Sequence, residues 1–234
     1  MTAKPLRYEH PEPVPPPSQL VALPFVSSVA GYLDVTVGCS SVRVTIHRVM
    51  TRDGHAYLQQ ICSYAGGNLD HSRAGRLFVV DEGIIGAAFS GRTIMRTRRY
   101  GDEAEWWTDY RADRIAVGDK RPAPAEPISY LAVPFLDATG DAVVCVMYAE
   151  AGGLNRFVEA GGHLDAVLGM SAGYCRMLDG MSDRPLPRVR NYPLPAGRPV
   201  GGPSTLYPNL QEPVRDRKPP RLTRLTSFNF ALSA

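Results

Sequence analysis

Residues 129–150, SYLAVPFLDATGDAVVCVMYAE, hold two strand-like runs on either side of a turn signal. In the first run Leu131, Val133 and Phe135 alternate with Tyr130, Ala132 and Pro134. Asp137 to Asp141 (DATGD) supplies turn chemistry, and Ala142 to Ala149 is almost wholly apolar. This predicts a β-hairpin. Pro134 removes a backbone donor, so the first arm belongs at an edge or a bulge, whereas the uncharged second arm belongs in the middle of a sheet, covered on both faces.

Outward from the hairpin the chain alternates strands with helix-period segments. Downstream, residues 157–179 carry a stripe of Phe157, His163 or Leu164, Val167 or Leu168, Ser171, Tyr174 or Cys175, and Leu178. Gly161, Gly162, Gly169 and Gly173 weaken that helix by about 1 kcal/mol each, so close packing against a sheet or a partner helix is expected there. Upstream, DEGIIGAAFSGR at 81–92 reads as a helix with Ile84, Ile85, Ala88 and Phe89 on one face, and 93–97 as extended. Residues 42–50 and 56–64 alternate around Arg52-Asp53-Gly54, a second hairpin, and 76–80 is a short strand. A first helix is expected over 24–35, started by Pro24 and ended by Gly38. Residues 98–128 form a long segment holding both tryptophans, with a short helix expected over 102–113 whose aromatic side is Trp106, Trp107 and Tyr110.

Composition sets the limits. A chain of 234 residues, 44% hydrophobic, is long enough for one well-cored domain with extensions. Residues 1–17 (with PEPVPPP) read as a disordered leader, 18–180 as the domain, and 181–234 as a largely disordered basic tail with ten prolines. The formal net charge of +3 is uneven: residues 183–234 carry nine Lys or Arg against three Asp or Glu, which leaves the remainder net negative. No run of about 18 apolar residues and no apolar leader is present, so a cytoplasmic protein without a membrane span is expected. Cys39, Cys62, Cys145 and Cys175 stand singly, outside the spacings of a zinc site or a redox dithiol, and read as buried thiols.

The order of these signals resembles the GAF domain family over about residues 18–179. The marks are Gly83 to Gly86 with Gly91, then Ser129, Leu131, Ala132, Val133 and Pro134, then Val144 to Tyr148 with Cys145 where the family usually has Gly, then Phe157 ahead of the last helix. The resemblance implies an α+β fold: an antiparallel sheet of five or six strands, helices on one face, and a ligand site on the other face under the variable segment 98–128. Fold alone does not identify the ligand.

Several chemistries of that family find no match here. The acidic pattern of cyclic-nucleotide binders does not continue from Asn155, Arg156 and Phe157, and the cysteine that anchors a bilin is missing from the variable segment. Methionine-sulfoxide reductases of this fold use thiols where this chain has Ala125, Glu126, Pro127 and Ile128. Asp102, Glu103 and Glu105, with His55 and His71 as further proton carriers, read as a solvated loop face without a nucleophile. The expectation is therefore a non-catalytic sensor with no assigned cofactor. Tyr100, Trp106, Trp107 and Tyr110 would wall the ligand, and Arg96, Arg98 and Arg114 would meet an anionic or planar group. Equally, the tryptophans would serve as core in a ligand-free adaptor acting through its tail. The expected partners are a protein, a small molecule and a second copy packed through the first and last helices. The tail's RPLPRVRNYPLP suits a polyproline-binding partner better than nucleic acid or a membrane, and 225–232 (LTSFNFAL) reads as a docking peptide.

Overall fold

The Asp53-Gly54 turn sets the first register. Both residues have positive φ, 50° and 77°, the two-residue geometry whose twist matches antiparallel strands. It joins β1 (Arg43–Arg52) to β2 (His55–Gln60), with Arg52 opposite His55 and His47 opposite Gln60. β2 pairs in turn with β3 (Leu77–Val79). The decisive hairpin is β5 (Ile128–Leu136) and β6 (Val143–Gly152). Its turn is held by Asp137, whose Oδ1 accepts from the N–H groups of Gly140, Asp141 and Ala142. β6 is central as expected, with β1 on its other side. β4 (Met95–Thr97) flanks β5.

Pro134 shows why the first arm of this hairpin is different. Tyr130 donates its N–H outward to the Thr97 hydroxyl, so the amide position four residues on also faces away from β6. There β4 has already ended, and a bulge follows between Phe135 and Leu136. The missing donor therefore costs no ladder bond.

The computed structural model describes residues 13–14, 16–37, 41–67, 74–117, 123–158, 162–182, 211–213 and 217–221. The leader up to residue 12, Cys39, His71, most of the tail and the 225–232 peptide lie outside the described residues. One tail stretch is described: β7 (Gln211–Pro213) pairs antiparallel with the outer side of β4. The sheet thus runs β3-β2-β1-β6-β5-β4-β7, every named pair antiparallel, and the tail adds a seventh strand to the six of the domain.

Period two divides the sheet into two faces. Val44, Ile46, Leu131, Val133, Phe135, Cys145, Met147 and Ala149 point to one face and pack under α1 (Pro16–Val37) and α4 (His163–Ser182). Phe25 stacks on Tyr174 at 4.2 Å and meets Phe135 edge-on at 5.9 Å, tying both helices to the sheet. α1 differs from expectation. It begins eight residues before Pro24 and carries that proline inside. The proline lies on the exposed side with Leu20 and Leu23, where water can serve the freed carbonyl, while Ala22, Val26, Val29 and Leu33 are buried. Over residues 18–36 this helix has the length and mean hydropathy, 1.2, of a membrane span, yet it also contains Asp34 and docks on the sheet.

α2 (Gly83–Gly91) lies on the second face, its Ile84, Ile85, Ala88 and Phe89 packed on Val49, Leu58, Ala132 and Val146. α2 thus lies on the face opposite α1 and α4. Gly86 lets α2 approach: a Cβ there would stand 2.8 Å from the Val80 carbonyl. α3 (Glu103–Val117) follows in the variable segment, four residues longer than expected at its C-terminal end.

Candidate functional site

α3 is fixed before it can cover anything. Asp102 accepts from the Glu105 N–H at 2.9 Å, a side-chain cap on the first turn. Glu105 in turn accepts from Gly101 N–H and from Arg98, and these bonds hold its carboxyl below the usual range. Arg98 also donates through Nε and Nη2 to Asp109 at 2.9 and 2.7 Å, and its guanidinium lies 4.2 Å over the Tyr100 ring. The Tyr100 hydroxyl donates to the same Asp109 oxygen, and Asn155 brackets the Tyr100 backbone with two hydrogen bonds. Ser129, the first residue of the hairpin motif, donates to the Gly153 carbonyl and accepts from Arg156 N–H. It thereby shapes the turn that presents Asn155.

The sequence-derived residues divide accordingly. Tyr100, Trp106 and Tyr110 come together as a buried cluster with Trp107, Ile128, Tyr130 and Leu154 packed around it. Trp106 is wholly buried and stacks on Tyr110 at 4.8 Å, and half-buried Trp107 meets both edge-on. Arg98 is committed to the acidic side chains of α3. Arg114 lies over the Tyr110 ring at 5.5 Å. Arg96 is separate: its neighbour in register is Leu131, which faces α1 and α4, and its side chain is buried and bonded to the Thr97 carbonyl. Of the carboxylates weighed for proton transfer, Asp102 and Glu105 are thus engaged at the start of α3, while His55 opens β2.

A site on the second face was expected, but the strand residues that make up that face were not among those named. On central strands, where apolar residues are expected, it carries Arg43, Thr45 and His47 from β1, Tyr148 and Glu150 from β6, and Tyr130 from β5. Arg43 forms a salt bridge with buried Glu150, which also accepts from the Tyr148 hydroxyl. Burial works against the Arg43 charge, but Glu150 outweighs it and raises the guanidinium further. Burial pushes the Tyr130 and Tyr148 phenols well above their ordinary range, with Glu150 adding to it, so both stay protonated.

Ring contacts run without a break across this face. Phe78 meets His47 at 5.2 Å, His47 meets Tyr148 at 6.4 Å, and Tyr148 meets both Tyr64 and Tyr130 at 6.4 Å. Tyr130 then joins the α3 cluster. His47 is buried, and neither ring nitrogen makes a hydrogen bond of good geometry. Burial, aided by the Arg76 charge and only partly opposed by the Val146 backbone, lowers it to about 3. Its cross-strand neighbour Gln60 donates to the Cys62 carbonyl, leaving Oε1 unpaired, and Trp106 Nε1 is unpaired as well. Among the described residues no group of three or more metal-binding side chains is assembled.

A signal for this face was present in the sequence. Arg43, Thr45 and His47 recur at period two within a strand, as do Tyr148 and Glu150. Polar residues at strand spacing on a central strand mark a face that is not closed by apolar packing alone.

No family model matches the chain, and no curated protein matches it. Among solved structures it is similar to the second GAF domain of DevS from Mycobacterium smegmatis, at 18% identity, covering 69% of this chain and 99% of that one, with a TM-score of 0.41. It is also similar to the GAF domain of the Acinetobacter phosphoenolpyruvate-protein phosphotransferase, at 15% identity over 68% and 84% of the two chains, TM-score 0.39. A third likeness is to the fRMsr of Staphylococcus aureus in its reduced form, at 16% identity over 62% and 77%, TM-score 0.37. None of these likenesses assigns a role to a residue of this chain.

Proposed function

We propose that this chain is a non-catalytic regulatory domain of GAF-like type. It binds a small molecule between α3 and the face of β1, β5 and β6, and hands the signal to a protein partner in the cytoplasm. One observation carries the reading: Gln60 Oε1 and Trp106 Nε1, buried on this side of the sheet, have no hydrogen-bond partner, and buried His47 beside Gln60 has only a poorly aligned contact with the Val146 backbone. Such groups are costly in a core and useful against a ligand.

The electrostatics narrow the ligand class. Arg43 is neutralised by Glu150 and Arg98 by Asp109 and Glu105, while His47 stays uncharged and the tyrosines protonated at neutral pH. An uncharged, planar molecule with both donors and acceptors suits this face better than the anion that the arginines first suggested. The three described thiols support the non-catalytic reading. Burial pushes Cys62 up to about 11, Cys175 up to about 12 and Cys145 well above its ordinary value, so little thiolate exists at neutral pH.

Full burial of Trp106 favours a second reading, the ligand-free adaptor, in which the aromatic cluster is core alone. Native mass spectrometry of the full chain separates the two. A retained small molecule, lost in His47→Phe while the variant's circular dichroism is unchanged, supports the sensor. A bare chain that still captures a protein partner overturns it in favour of the adaptor.

A further inference from the structure

The described part of the tail is tied to the domain at several points along one edge. β7 pairs with β4, Gln211 opposite Thr97 and Pro213 opposite Met95. Pro220 and Arg221 lie alongside β5 beyond the end of β4, where the Leu136 N–H donates to the Pro220 carbonyl at 3.1 Å and Leu136 bridges Arg221 in parallel. Arg221 donates to the Ala138 carbonyl in the hairpin turn. Arg217 reaches α4, donating through Nε and Nη2 to the two Asp165 oxygens at 2.6 and 3.1 Å. The strap therefore occupies the strip of sheet edge left open because β4 is three residues long and Pro134 has no N–H.

Its hold is of an exchangeable kind. The Arg217–Asp165 pair is exposed, Lys218 is exposed, and of 217–221 only Pro220 is buried. Exposed ion pairs and edge-strand backbone bonds compete directly with water and with other strands. Between Ser182, the last residue of α4, and Gln211 lie 28 residues, a length that reaches on the order of 90 Å when extended. That span exceeds the width of one domain.

We propose that the outer side of β4 and the 134–136 end of β5 form a strand-docking edge whose ligand is residues 211–213 together with 217–221 of the tail. It is taken from the same chain in the monomer and from a second copy on exchange. The occupant is specified by fit: the Asp165 carboxylate selects Arg217, the Ala138 carbonyl selects Arg221, and the Leu136 N–H selects a carbonyl at Pro220. Release without replacement would bare an edge open to any strand, so the strap also guards against indiscriminate pairing. Nothing here depends on what binds beneath α3.

The test uses the full chain and a fluorescein-labelled peptide of residues 209–223, read by anisotropy. The peptide is expected to bind wild-type protein by displacing the resident strap. It should bind Arg217→Glu protein about ten-fold more tightly, because there the edge is vacated more of the time. Asp165→Arg protein should lose the wild-type peptide and accept one carrying Arg217→Glu, a swap that a misfolded variant would not reproduce. Light scattering of the wild-type chain at rising concentration should show a dimer, and Arg217→Glu with Asp165→Arg together should restore it. Absence of peptide binding to the Arg217→Glu chain would overturn the docking edge, and a strict monomer at all concentrations would overturn exchange between copies.

Discussion

The two faces of the sheet are made by the same strands, alternate residue by alternate residue, and they are finished differently. Toward α1 and α4 the strands present Val44, Ile46, Leu131, Val133, Phe135 and Met147, closed by Phe25, Val29, Leu33, Val167 and Leu178. On the other face they present Arg43, Thr45, His47, Tyr130, Tyr148 and Glu150, beside the apolar patch on which α2 packs. The first face gains from burial and has little to lose with pH. The second keeps charges paired, phenols protonated and an imidazole neutral, all against the cost of burying polar groups. The apolar cluster under α1 and α4 and the polar strip of β1, β5 and β6 thus lie on opposite sides of one layer.

The largest expected effect breaks the apolar side. Phe135→Ala, wholly buried between Phe25 and Tyr174, should cost about 3–5 kcal/mol in urea unfolding. A cost below about 1 kcal/mol would mean that the helices do not seal this face.

The second prediction probes the polar side through acid. His47 holds its proton with a value of about 3 in the fold against an ordinary 6.5. Because the folded value is the lower one, the unfolded chain binds the extra proton between them. The contribution is complete above 6.5 and is lost as pH falls toward 3. The slope should approach ~1.4 kcal/mol per pH unit within that window. His47→Phe should remove it, whereas Phe135→Ala should lower stability with the slope intact. An unchanged slope in His47→Phe would place the buried proton acceptor elsewhere.

The smallest effect sharpens the outer boundary of the apolar side. Gly169 in α4 was expected to permit a close approach, but a Cβ there would meet nothing within 4 Å. Gly169→Ala should stabilise the monomer by up to about 1 kcal/mol in thermal or urea unfolding. Destabilisation, or a loss of dimer on light scattering, would show that a second copy packs on this helix.

Legibility followed the same division. Alternation at 42–50 and 129–136, the Asp-Gly turn at 53–54 and the stripe from Leu164 to Leu178 were readable, because period and turn chemistry are local properties. Pro24 misplaced the start of α1, since the exposure that lets a helix carry a proline is set by packing. Arg98 looked like an open cation in 98–114, and only the folding of α3 back over it supplied Asp109 and Glu105. His47 and Gln60 lie thirteen positions apart in the chain, and their shared register is a product of the hairpin.

The chain's local chemistry was enough to specify antiparallel hairpins, a glycine-framed helix and a closing helix, because each is set by side-chain period and by which residues tolerate positive φ. Tertiary structure alone decided which arginines would be spent on carboxylates, that polar groups of β1, β5 and β6 would share one face, and that a tail segment would complete the edge beside β4. Those outcomes depend on pairings between residues distant in sequence, whose energies exist only once the strands have been brought together.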